Sequence, residues 1–186
     1  IGLLSAVAYP NFSSWKKERE TRTAAVKIKS LIIGITAQVR RGLFGYAQVL
    51  VKEDDGTITV TSKGMNMNSL AAKIQDGTDI WNSDANSRCD TEDDNYWDED
   101  GSTSDKLEVQ HLEFDDDILI SFTKGVGAVC FSKDGTWYSA DGEFESNSSI
   151  IEAFYVCNRT EAITKCDVDS ISKHKYVFQI NWSRFE

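Results

Sequence analysis

A chain of 186 residues with 40% hydrophobic residues, nine Phe, six Tyr and five Trp has material for one domain with a sizeable core, which excludes general disorder. Its net charge of −10 argues against nucleic acid as the general partner, because phosphate binding needs a basic footprint. The charge is unevenly placed. Residues 1–52 hold nine Lys/Arg against Glu18 and Glu20, a local +7, whereas residues 90–117 hold thirteen Asp/Glu against Lys106, a local −12.

The opening stretch IGLLSAVAYPNFSSWKKERE is apolar up to Pro10 and then turns charged. It is not a secretory signal, in which basic residues precede the apolar run and a small-residue cleavage site follows it. It is also shorter than the roughly 20 apolar residues that cross a bilayer. It reads as the back end of something longer. From Ser14 to Tyr46 the apolar residues Ala24, Ala25, Ile28, Leu31, Ile32, Ile35, Val39, Leu43 and Tyr46 recur in steps of one, three and four. That spacing marks one continuous helical stripe. Pro10 is the only proline of the chain. It cannot donate to the Ala6 carbonyl, so a kink or local melting is expected there if residues 1–9 extend the same helix.

After Gly42–Gly45 the period changes to two. AQVLVKE and TITVTSK flank Asp54–Asp55–Gly56 and read as a β-hairpin. Residues 64–116 carry no clear period; SLAAKI is read as a short helix and the acidic, Asn-rich stretch 82–105 as a long loop. Strands are expected at DILISFT, GAVCFSK, GTWYSAD, SIIEAFYVCN and KYVFQINWSR, with turns at Gly125–Gly127 and Lys133–Gly135. The expected architecture is α+β, a long N-terminal helix packed on an antiparallel sheet. Residues 1–44 would form the helix, with an apolar segment 1–12 and an amphipathic part 13–44, and residues 45–186 a β-rich head.

Cys89, Cys130, Cys157 and Cys166 show no C-x-x-C spacing and suit two disulfides in an oxidising compartment. Three connectivities are open; Cys157–Cys166, which closes a short loop, is favoured, leaving Cys89–Cys130. Enzyme signatures are missing: His111 and His174 are the only histidines, and none of H-E-x-x-H, G-x-S-x-G or G-x-x-x-x-G-K-[ST] occurs. No catalytic residue is expected. Asn11, Asn147, Asn158 and Asn181 begin N-x-S/T triplets, which also arise by chance.

The segment GLLSAVAYPNFSSWKKERETRTAAVKIKSLI, with Gly2, Pro10, Asn11 and Phe12, resembles the mature N-terminal helix of type IV pilins and pseudopilins without its first residues. More loosely, the hairpin QVRRGLFGYAQVLVKEDDGTITV, the segment VCFSKDGTWYSADG and the terminal YVFQINWSRFE are similar to FimT-type pilins and H-type pseudopilins. The resemblance implies a pilin-like fold and a structural subunit that polymerises into a surface filament. Ile1, Gly2, Leu3, Leu4, Val7, Tyr9 and Pro10 would form the filament core, and Ile28, Leu31, Ile32, Ile35 and Val39 would pack the helix on its head. The implied partners are copies of itself, other pilins, inner-membrane assembly machinery and, before assembly, the membrane, with the head outside the cytoplasm. Members of the family start on an N-methylated Phe followed by a glutamate; no acid precedes Glu18 here, so both are expected upstream of Ile1.

Other roles are a minor pseudopilin of a type II secretion system, a minor adhesive or DNA-binding pilin, or a secreted β domain on a membrane anchor. Lys173, His174 and Lys175 are the small basic patch that a DNA-capturing pilin would use. No cofactor is implied beyond calcium, which some relatives bind. In DTEDDNYWDEDGSTSD, Asp98, Asp100 and Asp105 would be its oxygen donors. That segment does not fit the EF-hand spacing, and a solvated surface loop is the first reading, so no metal site is assigned.

Overall fold

The computed structural model describes residues 2–75, 89, 106–120, 126–141, 153–160, 166 and 177–181. Helix α1 spans Gly2–Arg40. Its end is set by chemistry rather than by the apolar stripe. Gly42 takes a φ of 78°, its N–H reaches the Val39 carbonyl at 2.9 Å, and the Leu43 N–H reaches Gln38 at 3.1 Å. These paired bonds form the Schellman closure, which a glycine in the left-handed region makes cheap. The expected helical extension to residue 44 is therefore corrected: Leu43 is 60% exposed and Tyr46 opens strand β1. Of the kink or local melting expected at Pro10, the melting is not found, since the helix continues through it. A proline removes one intrahelical bond, and the turns on either side keep theirs.

Strands β1 (Tyr46–Asp54) and β2 (Thr57–Met65) form the hairpin. Asp55 and Gly56 both have positive φ, 47° and 82°, the two-residue turn whose twist matches antiparallel strands. Helix α2 (Met67–Gln75) follows, capped by the Asn66 carboxamide oxygen, which accepts from the Ser69 N–H at 2.9 Å. It contains the short helix expected at SLAAKI. Next come β3 (Lys106–Phe114), β4 (Ile118–Ile120), β5 (Val126–Ser132), β6 (Trp137–Asp141), β7 (Ala153–Asn158) and β8 (Val177–Asn181). Five strands form one antiparallel sheet in the order β3-β2-β1-β5-β6, and three form another in the order β4-β7-β8. The chain is thus α+β, with an N-terminal helix on antiparallel sheets; the helix packs against strands of both, not of one sheet alone.

Strand β3 lies inside the stretch whose sequence shows no clear period, and the register explains why. Ser62 pairs with Gln110 but Lys63 pairs with Glu108, so Val109 is an extra, bulged residue. The bulge resets the alternation between Leu107 and Leu112.

Alternation elsewhere sorts the strands onto two cores. Ala47, Val49, Val51, Ile58, Val60, Val129 and Phe131 face the helix side, and Tyr46, Met65, Ala128 and Cys130 face the other. At the turn before β6, Asp134 accepts from the Thr136 N–H at 3.0 Å and hydroxyl at 2.7 Å. The hydroxyl bond above all holds its carboxyl below the usual carboxylate range.

Gly64 lies on the helix side under the Phe44 ring, and a β-carbon there would come within 2.6 Å of the ring atoms. Gly64→Ala is expected to cost about 1–3 kcal/mol by overpacking, read as a lower urea midpoint with an unchanged m-value. An unchanged midpoint would show that Phe44 can swing away.

Candidate assembly helix

Helix α1 changes character along its length. From Thr21 to Val39 a buried residue recurs every one or three positions: Thr21, Ala24, Ala25, Ile28, Leu31, Ile32, Ile35, Thr36 and Val39. Ile28, Leu31, Ile32, Ile35 and Val39 sit together in the main core with Val49, Val60, Phe114, Val156 and Ile180. Helical stepping puts one face against two sheets. The three helix threonines at positions 21, 23 and 36 turn their hydroxyls back to the carbonyls four residues earlier, at 2.7–2.9 Å, so Thr21 and Thr36 are buried without an unmet donor.

Between Phe12 and Glu20 the head no longer buries the helix. Every described side chain from Phe12 to Glu20 is exposed or half-buried. Gly2–Glu20 would extend about 28 Å at the helical rise. Gly2, Leu3, Leu4, Val7, Tyr9 and Pro10 all lie on this helical stretch; Ile1 lies outside the described residues.

The exposed part has a face of its own, which the apolar stripe does not reveal. Phe12 and Trp15 stand 64% and 52% exposed, their ring centroids 5.8 Å apart. The Arg19 guanidinium lies 5.6 Å from the Trp15 ring centroid, and Arg22 lies 5.8 Å from that of Phe178 on β8. The only sequence signal for this cluster is its spacing of three and four residues on the side opposite the stripe. Lys16–Glu20 at 3.6 Å and Arg22–Glu18 at 3.1 Å pair along the helix and, being largely exposed, stabilise it little.

The disulfides join Cys89 to Cys130 on β5, and Cys157 on β7 to Cys166. Their Cα separations are 5.7 and 6.0 Å. The sequence separations are 41 and 9 residues, so the first closes the longer loop of the unfolded chain. Asp98, Asp100 and Asp105, the candidate calcium donors, and the patch Lys173–Lys175 lie outside the described residues. Among the described residues no group of three or more His, Cys, Asp or Glu is arranged to hold a metal. His111 is on the edge strand β3, its Nδ1 3.0 Å from the Thr61 hydroxyl and its Nε2 3.2 Å from Glu113.

Sequence reading missed Arg159. Its backbone N–H donates to the Asp117 carbonyl at 2.7 Å, its Nε to the Asp116 carbonyl, and its Nη2 to Glu53 at 3.0 Å. One side chain thereby ties the β1 end of the larger sheet to the β3–β4 turn and to β7 of the smaller sheet. Nothing local in Asn158-Arg159-Thr160 signals such a role. The same triplet has no accessible acceptor, since Asn158 is only 6% exposed.

Among the described residues no helix is long and apolar enough to cross a membrane. Compared with protein-family models, curated proteins and solved structures, the chain matches none.

Proposed function

We propose that this chain is a structural subunit that polymerises through its N-terminal helix into a type IV pilus-like surface filament, on a pilin-like layout. The observation that carries the reading is the split within α1. Its C-terminal half is the spine of the head's core, whereas from Phe12 to Glu20 the same helix carries no buried side chain. In this reading the head does not cover Leu3, Leu4 and Val7. Covering each is worth about 1.5–3 kcal/mol, and neighbouring copies supply that cover in a filament. A heterologous contact whose rotation does not close grows as an open helix.

In this reading the partners are other copies, other pilins and the inner-membrane assembly machinery. The chain resides in the inner membrane before assembly with its head outside the cytoplasm, where two disulfides persist, and afterwards in the extracellular filament. It has no catalytic role.

Mass spectrometry of filaments sheared from the native cells tests the reading. The chain should dominate the fraction, starting upstream of Ile1 on a methylated residue. Trace amounts would favour a minor pilin or a secretion pseudopilin. Absence from every filament would overturn the proposal.

A further inference from the structure

Strand β1 joins two ends of the head that carry opposite charge. Its nine residues hold those ends about 27 Å apart. Where β1 begins, the closing turn of α1 meets the turn between β5 and β6. The Lys133 N–H donates to the Gly45 carbonyl at 3.2 Å, and a β-carbon on Gly42 would stand 3.6 Å from the Lys133 ammonium nitrogen. Residues 40–45 and 132–136 hold Arg40, Arg41 and Lys133 against Asp134, three minus one, or +2. Arg40 and Arg41 answer the carbonyl end of α1, but Lys133 comes from another element. Two apolar side chains share this end: Leu43 is 60% exposed, and Met67, packed against Gly45, is 40% exposed.

Where β1 finishes, the turn Asp54–Gly56 abuts the turn Asp115–Asp117, the Asp116 β-carbon lying 3.5 Å from where Gly56 would carry its own. Residues 52–56 and 113–117 with Arg159 hold seven carboxylates against Lys52 and Arg159, two minus seven, or −5. Arg159 holds the two turns together but spends its charge on Glu53. Asp54, Asp55, Asp115, Asp116 and Asp117 are exposed, and among the described residues none of the five makes an ion pair; nor does Arg41 or Lys133. Carboxylates so gathered repel one another until a counter-charge arrives. A bound metal ion needs converging oxygens, and among the described residues no three carboxylates are so arranged. Long Arg and Lys side chains need no such convergence, since each can reach a separate carboxylate.

We infer that the paired acidic turns of one copy, Asp54–Gly56 and Asp115–Asp117, dock on the end of the next copy that carries Arg41, Leu43 and Lys133. The inference rests on the filament reading for the presence of neighbouring copies, and it deepens that reading by naming the head surfaces that meet. Like charge forbids either end from meeting its own counterpart, so the contact is heterologous and does not close as a dimer. It also shields Leu43.

Sedimentation of the purified full chain, in about 20 mM and about 500 mM salt, tests the contact, because added salt screens exposed charges and leaves apolar association standing. The wild type should show association that salt removes. Arg41→Glu with Lys133→Glu gives a chain acidic at both ends, and Asp54→Lys with Asp116→Lys one with the acidic end reversed. Each should lower the salt-sensitive association about tenfold. An equimolar mixture of the two variants should restore it, as should one chain carrying all four substitutions. Thermal melts show that each variant is folded. If a reversal lowers the melting temperature, the neutral pairs Arg41→Gln with Lys133→Gln and Asp54→Asn with Asp116→Asn carry the same test, with a loss of about threefold.

Wild-type association in both variants would overturn the inference. Loss in both without recovery in the mixture or the combined chain would also overturn it, assigning each end to some other partner. Wild-type association that appears only with added calcium would assign the carboxylates to a cation and overturn it too. Filament yield of the same variants in cells separates the two readings. Salt-sensitive association that reverses and recovers, with no filaments from the wild type, defeats the filament reading alone. Wild-type filaments from both reversed variants defeat the head contact alone.

Discussion

Leu3→Asp or Val7→Asp should abolish filaments while the head melts at the wild-type temperature. Both positions lie in the helix well before Thr21, the first of its described residues to be buried. If the head leaves these positions uncovered, as the filament reading requires, a carboxylate there costs the isolated head nothing. In a filament the same carboxylate would be buried among the apolar segments of neighbouring copies. An unpaired charge in such a place costs several kcal/mol or more, beyond the loss of the aliphatic side chain. Repetition in every subunit makes the penalty decisive, because each copy both presents and receives the altered face. Electron microscopy of cells carrying each variant, beside a thermal melt of the purified protein, checks both halves. Normal filaments from either variant would end the model of an apolar filament core. Loss of filaments with a lowered melting temperature would instead place residues 3 and 7 in the head's own stability.

The second large effect lies at the other end of the same helix. Ile32 is fully buried and packed in the main core, whereas its neighbour Ile33 is 45% exposed. Ile32→Ala should therefore destabilise the head by about 3–4 kcal/mol, through lost transfer energy and an unfilled cavity between helix and sheets. Ile33→Ala should stay within about 0.5 kcal/mol of wild type. For a chain of this length the first corresponds to a fall in Tm of about 10 °C. Equal and small effects at both sites would mean that the helix is not the spine of the core. A large effect at Ile33 would mean that its face is covered in solution.

The residues that could be read from the chain directly are those whose neighbours in sequence are also their neighbours in space. The buried face of α1 is one case, since Ile28, Leu31, Ile32, Ile35 and Val39 keep helical spacing over three turns. The hairpin about Asp55–Gly56 is another, because the turn needs only its own two residues at positive φ. Where the reading fell short, a left-handed glycine or a partner distant in sequence had intervened. The run to Leu43 and Tyr46 keeps helical spacing, but Gly42 closes the helix and Tyr46 is drawn into β1 by pairing with Met65 and Ser132. Strand β3 escaped notice because a bulge opposite Ser62 and Lys63 broke its alternation.

The assembly helix shows the same division. Its apolar start and basic continuation are written in residue types. Where the head releases it is not, because that depends on how far strands from both sheets reach along the helix.

By itself, then, the sequence determined the class of architecture, a long amphipathic helix leading into antiparallel strands, since period and turn chemistry are local properties. Only the tertiary structure decided that two sheets share the helix, that Arg159 ties them together, and that Asn158 is buried rather than displayed. It also decided that Phe12 and Trp15 are left uncovered. Those outcomes depend on which segments meet across the fold, and burial is a property of that meeting rather than of any residue alone.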